Sequence, residues 1–267
     1  MNEVLTRDVN GPGFDPRQVH HFFMILFPIG LEGCGHHGFE PVVQHAITQK
    51  YGDDVYHLRG ELQQICHLCC HNGCFTTFRE ECERFFSNVD VSKCIFFIDN
   101  SFPSGAFGYQ ARVPGNLWLI SRIYEVLINY DDVKLVHLKR NLLNTINSHR
   151  DWDGGVVEHA RVIHYTNKFI DFEITTLLDK IPDTELFEIE YEKIGTYEAV
   201  PTISSITGVS ECDVRSAVNY CFKQSTKTYE DTMTCDVQKS IQEILEGKFD
   251  IDFVGLLKRW RKRWKND

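Results

Sequence analysis

The sequence has no apolar run long enough to cross a bilayer. Its longest strongly apolar stretch, Phe22–Ile29, is well short of the roughly 20 residues a spanning helix needs. It has no excess of positive charge either. Lys and Arg number 28 against 38 Asp and Glu, for a net charge of −10. An acidic surface repels polyanions, which disfavours general nucleic-acid binding and binding of heavily sulfated polysaccharides. A local basic site for one nucleotide stays open. Met1–Gly13 is polar and lacks the apolar core of a signal peptide. The expected location is therefore cytoplasmic; a Golgi-lumenal domain trimmed of its anchor would read the same way. Internal repeats and low-complexity segments are also missing. With 42% hydrophobic and 25% charged residues, a disordered or fibrous chain is excluded.

What is present is an alternation of apolar runs and helical patterns. Phe22–Ile29, Cys94–Asp99, Lys134–Leu138 and Glu185–Glu190 read as buried strands. Helical patterns fill roughly 39–50, 117–130 and 158–180. Strands alternating with helices predict an α/β fold with a mostly parallel central sheet flanked by helices, a P-loop nucleotide-binding-like three-layer sandwich. The 267 residues suit one such domain. Residues 1–19 read as a loose lead-in, 51–90 as a Cys/His-rich helical insertion, and 250–267 as a basic C-terminal helix. Ligands of such sheets bind beyond the C-terminal ends of the strands. Three loops fall there: 30–38, 99–105 and 139–148.

The first of these loops carries Gly30, Gly33, Gly35 and Gly38 between a strand and a helix. Glycines admit positive φ and let the backbone approach an anion, and the N–H groups of such a turn point at phosphate oxygens. Gly30 to Gly35 fits the spacing G-x-x-x-x-G-K-[ST], but His36 and His37 replace the Lys and the Ser/Thr. Without that Lys and hydroxyl, metal-dependent hydrolysis of a triphosphate is disfavoured. The third loop begins Lys139–Arg140–Asn141, and Asn141, Asn144 and Ser148 share one helical face. A guanidinium and a hydroxyl facing one anion make a phosphate clamp; a helix cap beside an exposed Arg would show the same pattern.

Together these segments resemble the sulfotransferase superfamily over roughly residues 20–210. The 30–38 loop is similar to its 5′-phosphosulfate loop, and Arg140–Asn141 with Ser148 to its 3′-phosphate motif. Phe187–Ile194 is similar to its strand ending in Tyr-Glu-Asp-Leu, and Ile98–Pro103 to its Thr-His-Leu-Pro segment. The resemblance implies that 3′-phosphoadenosine 5′-phosphosulfate is bound by Gly33, Cys34, Gly35, His36, His37, Gly38, Arg140 and Ser148, with Tyr191 near the adenine. It implies transfer of the sulfuryl group to a hydroxyl of a small molecule or glycan, leaving the 3′,5′-bisphosphate, with a homodimer as one arrangement. The family loop usually has Lys or Arg where this chain has Gly33, and its catalytic His aligns with Ser101. Acid–base candidates here are His36 and His37, because histidine is the side chain whose ordinary range spans neutral pH, and Asp99 at a strand end. The alternatives are a non-catalytic adenosine-nucleotide-binding protein and a P-loop kinase-like enzyme.

Ten cysteines are many for this length, and Cys66, Cys69, Cys70, Cys74 and Cys82 crowd together with His67 and His71. The spacing permits zinc ligation, and on a helix it also makes one stripe of small buried side chains. No metal is assigned on this ground.

Overall fold

A computed structural model describes residues 24–52, 56–57, 62, 64–66, 75–89, 94–98, 100–102, 120–130, 132–148, 155–223 and 233–248. The apolar run near the N-terminus forms strand β1 (Met24–Leu31), buried at every position but its first. It is followed by α1 (His36–Tyr51), β2 (Tyr56–His57), α2 (Phe75–Ser87), β3 (Cys94–Phe97), β4 (Asn100–Phe102) and α3 (Ile120–Leu127). Then come β5 (Val133–Lys139), α4 (Leu142–Ser148), α5 (Gly155–Lys180), β6 (Leu186–Glu190), α6 (Tyr191–Gly195), α7 (Val200–Thr207), α8 (Glu211–Cys221) and α9 (Cys235–Leu245).

The strands form one sheet in the order β2-β3-β1-β5-β6, with β4 also paired to β1. Every pairing among the described residues is parallel, so the chain is α/β. The centre of the sheet is β1, whose Ile25, Leu26, Phe27 and Ile29 are at most 1% exposed. A central strand tolerates proline poorly, because the ladder loses an N–H. Pro28 escapes this penalty by its position. It stands level with the gap between β3 and β4, which hold one register along β1. Ile98 still donates from its N–H to the Leu26 carbonyl across that junction.

The helices pack in two groups. One joins α1 to α6, α7 and α8; the other gathers α3, α4 and α9 around the long α5. Inside the second group Glu173 is fully buried, and its Oε2 accepts from the Ser121 hydroxyl at 2.9 Å. Among the described residues, no helix is long and apolar enough to cross a membrane.

Three expectations are corrected in detail. The 51–90 segment is not purely helical: Tyr56–His57 pairs with β3 and supplies an edge strand of the sheet. The second strand does not stop at a loop beginning at Asn100, since Asn100–Phe102 stays in register with β1. Helix α1 starts at His36 rather than Phe39, because Gly35 in the left-handed region at φ 110° serves as its N-cap without any capping side chain. The lead-in 1–19 and the basic tail 250–267 lie outside the described residues, as do Cys69, Cys70 and Cys74. Cys66 and Cys82 are buried in the core.

Phe27 is fully buried in the middle of the sheet. Replacing it with Ala should cost about 3–5 kcal/mol, the range for large aromatic truncations in a core. Urea unfolding of Phe27→Ala measures this, and a loss under about 1 kcal/mol would contradict the central placement of β1.

Candidate functional site

The chain leaves β1 through Glu32–Gly35 and enters α1 at once. Gly33 and Gly35 both take positive φ, 84° and 110°. Side chains rarely tolerate that backbone. At Gly35 a second constraint applies: a Cβ there would overlap ring carbons of Tyr191. Gly30 is equally tight, since a Cβ would stand 2.7 Å from the Leu138 carbonyl and 3.1 Å from His36 Nε2. The loop can therefore sit this low over the strand ends only because glycine occupies these positions. First-turn N–H groups lack acceptors within their own helix and carry the positive end of its dipole. No acidic residue stands in the first turn of α1 to compete for them.

Arg140 follows β5 directly. Its side chain is only 10% exposed, not the surface group that a plain helix cap would leave. Nη1 donates to the Gly33 carbonyl at 2.8 Å, and the guanidinium lies 4.6 Å over the Tyr191 ring. Nε is 3.9 Å from Glu192 Oε1, too far for a hydrogen bond. Both atoms are buried without a hydrogen-bond partner. Buried polar atoms of this kind are costly, and a guanidinium with donors to spare is suited to an anion. Asn141 does act as a cap: its Oδ1 accepts from the N–H groups of Leu143 and Asn144 at the start of α4.

One cleft of about 400 Å³ collects most of these groups. Its described lining is Glu32, Gly33, Gly35, His36, His37, Gly38, Arg140, Ser148, Tyr191, Cys221 and Lys223. The structure thus brings the glycine turn and the Arg140–Ser148 helix to one rim of the sheet. His36 is buried under the turn, whereas His37 is exposed at its mouth. Ser148 is exposed, and its hydroxyl donates to the Thr145 carbonyl at 2.7 Å. Tyr191 is 8% exposed, held between Arg140, Gly35, Gly38 and Phe222. It is as much a support for the turn as a wall of the cleft.

One expected residue is not gathered there. Cys34 is 1% exposed; it lines a neighbouring cleft on the other side of Arg140. Asp99 lies outside the described residues. Conversely, Cys221 and Lys223 at the end of α8 were missed. A lysine just past a helix end carries no local signal of a ligand, and only the packing of α8 on α1 brings it to the cleft.

His137 lies on β5, lines the neighbouring cleft and is buried. Burial, with smaller contributions from Lys139 and His36, lowers its pKa from 6.5 to about 4, against a weaker opposite pull from Glu188. The imidazole is therefore neutral at neutral pH. No protein-family model matches the chain, and no curated protein matches it.

Two outcomes follow from this geometry. Gly35→Ala should lose about 1–3 kcal/mol from overpacking on Tyr191, plus about 1–2 kcal/mol for the left-handed backbone. Gly35→Ala with Tyr191→Ala removes the overlap but keeps the backbone cost; thermal unfolding should show the two effects as non-additive, and simple additivity would count against the contact. For His137, the unfolded chain binds more protons than the folded one between pH 6.5 and 4. Stability should therefore fall as pH drops through that window, by up to about 3 kcal/mol. His137→Gln should flatten that part of the stability curve, and an unchanged slope would contradict the assignment.

Proposed function

We propose that the chain is a sulfotransferase that takes the sulfuryl group from 3′-phosphoadenosine 5′-phosphosulfate and passes it to an acceptor hydroxyl. The observation that carries the reading is the single cleft in which the glycine turn, Arg140 and Ser148 meet. The parallel sheet with two helix groups supports a P-loop-like three-layer arrangement of the same site. The donor supplies an activated sulfuryl group whose leaving group is a phosphate.

In this reading the turn amides of Gly33, Gly35, His36 and His37 hold the 5′ end by N–H donation, the Cys34 N–H being taken by the Leu31 carbonyl, and Arg140 with Ser148 holds the 3′-phosphate. The buried Nε and the remaining donors of Arg140 suit an oxyanion, while its bond to Gly33 fixes the turn in place. Such preorganised donors cost no rearrangement as charge builds on the leaving oxygen. Holding both partners in line provides much of the remaining acceleration. His37, exposed at the mouth of the cleft, is the better placed of the two histidines to take the acceptor proton; His36, beneath the turn, is placed to donate toward the loop.

One observation favours a second reading, a nucleotide binder without catalysis. Gly33 offers no side chain, and Cys34 faces away from the cleft, so the turn contributes no cation of its own. Lys223 is the nearest replacement on the cleft wall.

Calorimetry with adenosine 3′,5′-bisphosphate, and with ATP and magnesium, tests the binding. The bisphosphate should bind without metal and more tightly than ATP. Arg140→Ala should weaken it roughly 10- to 100-fold, the equivalent of about 1.5–3 kcal/mol for a hydrogen bond to a charged group. Preference for ATP with magnesium would overturn the reading. Transfer of labelled sulfate to an acceptor panel separates enzyme from inert binder.

A further inference from the structure

Beyond the anion cleft, Arg140 walls a second one of about 270 Å³. Its described lining comes from three directions: Leu31 and Cys34 at the end of β1 and in the turn, His137, Leu138, Lys139, Arg140 and Leu142 from the end of β5 into α4, and Asn167 and Asp171 from α5. Its size lies just below the roughly 300–1,000 Å³ of sites for drug-sized ligands. A ligand no larger than about one sugar ring is implied.

The chemistry of the wall differs from that of the anion cleft. Asn167 and Asp171 sit one helical turn apart, and the Asn167 amide donates to Asp171 Oδ2 at 3.3 Å. Lys139 is neutralised by an ion pair with Glu188 across the β5–β6 pair. Of the remaining charges on the lining, Arg140 and Asp171 are one of each sign. Positive and negative groups are thus balanced, which gives neither an anion nor a cation an advantage. What remains is a mixed set: a carboxylate that accepts, an amide that does both, and a neutral imidazole with one N–H and one bare nitrogen. Leu31, Leu138 and Leu142 supply apolar surface beside them. Alternating donors and acceptors next to a small apolar patch match the surface of a neutral polyol.

We propose that this second cleft binds a small neutral polyhydroxylated ligand, of the size and kind of a single sugar ring or cyclitol, through Asp171, Asn167 and His137. As a binding site it stands whichever nucleotide fills the first cleft. As the place of an acceptor hydroxyl it rests on the sulfotransferase reading.

The test uses the full chain with a panel of neutral monosaccharides and myo-inositol. Saturation-transfer NMR reports binding, and the imidazole nitrogen resonances of His137 report its place. At least one probe should bind and shift the His137 signals. Asp171→Ala and Asn167→Ala, both surface-accessible changes, should each weaken that probe at least tenfold while leaving adenosine 3′,5′-bisphosphate binding within twofold. The proposal is overturned if no probe in the panel binds, if binding leaves His137 unmoved, or if both variants bind as the parent does. Failure of the bisphosphate to bind, with the polyol still bound, would sink the transferase reading and leave this one standing.

Discussion

The guanidinium of Arg140 leaves the end of β5, donates to the Gly33 carbonyl and covers the face of Tyr191 at the start of α6. Three chain segments far apart in sequence are tied at one rim of the sheet by that side chain. A charged group this buried is costly unless its donors are satisfied. The Gly33 bond and the ring satisfy part of it; Nε is left over. The same contact sets the height of the glycine turn, because Tyr191, pressed against Gly35, admits no side chain there. Turn geometry and anion capacity are therefore one constraint.

That arrangement divides the rim into two chemical environments. On one side, backbone N–H groups at a helix start, Arg140 and Lys223 make a region that favours negative charge. On the other, the Lys139–Glu188 pair and Asp171 bring the balance back toward neutrality. Desolvation acts on this second side as well. It raises the pKa of Asp171, with Glu188 working in the same direction and Lys139 against it, and it keeps His137 uncharged. A donor bearing several negative charges and a neutral hydroxylated partner would be sorted to opposite sides of one arginine.

Much of this framework was legible in the residues. The apolar run at β1 is long and continuous enough to read as a buried strand, and glycine punctuation between a strand and a helix limits what the turn can be. The fate of individual side chains was not legible. Cys34 sits within the turn, yet it is buried and lines the neighbouring cleft rather than the one that its glycine neighbours line. Asn141 and Arg140 are adjacent, and one caps a helix while the other reaches the cleft. Tyr56–His57 is too short to show period-two alternation, so its role as an edge strand depends on β3 beside it. Lys223 reaches the site only through the packing of α8 on α1. For Arg140, Tyr56–His57 and Lys223 a long-range contact decided what local pattern left open.

The central claim is that the glycine turn and the Arg140 helix grip opposite ends of one nucleotide. The most direct measurement is a crystal structure of the chain with adenosine 3′,5′-bisphosphate. The account predicts the 5′-phosphate over the amides of Gly33, Gly35, His36 and His37 and the 3′-phosphate against Arg140 and Ser148, with one molecule bridging both. A bisphosphate that engages only one of the two, or that binds away from this cleft, would contradict it.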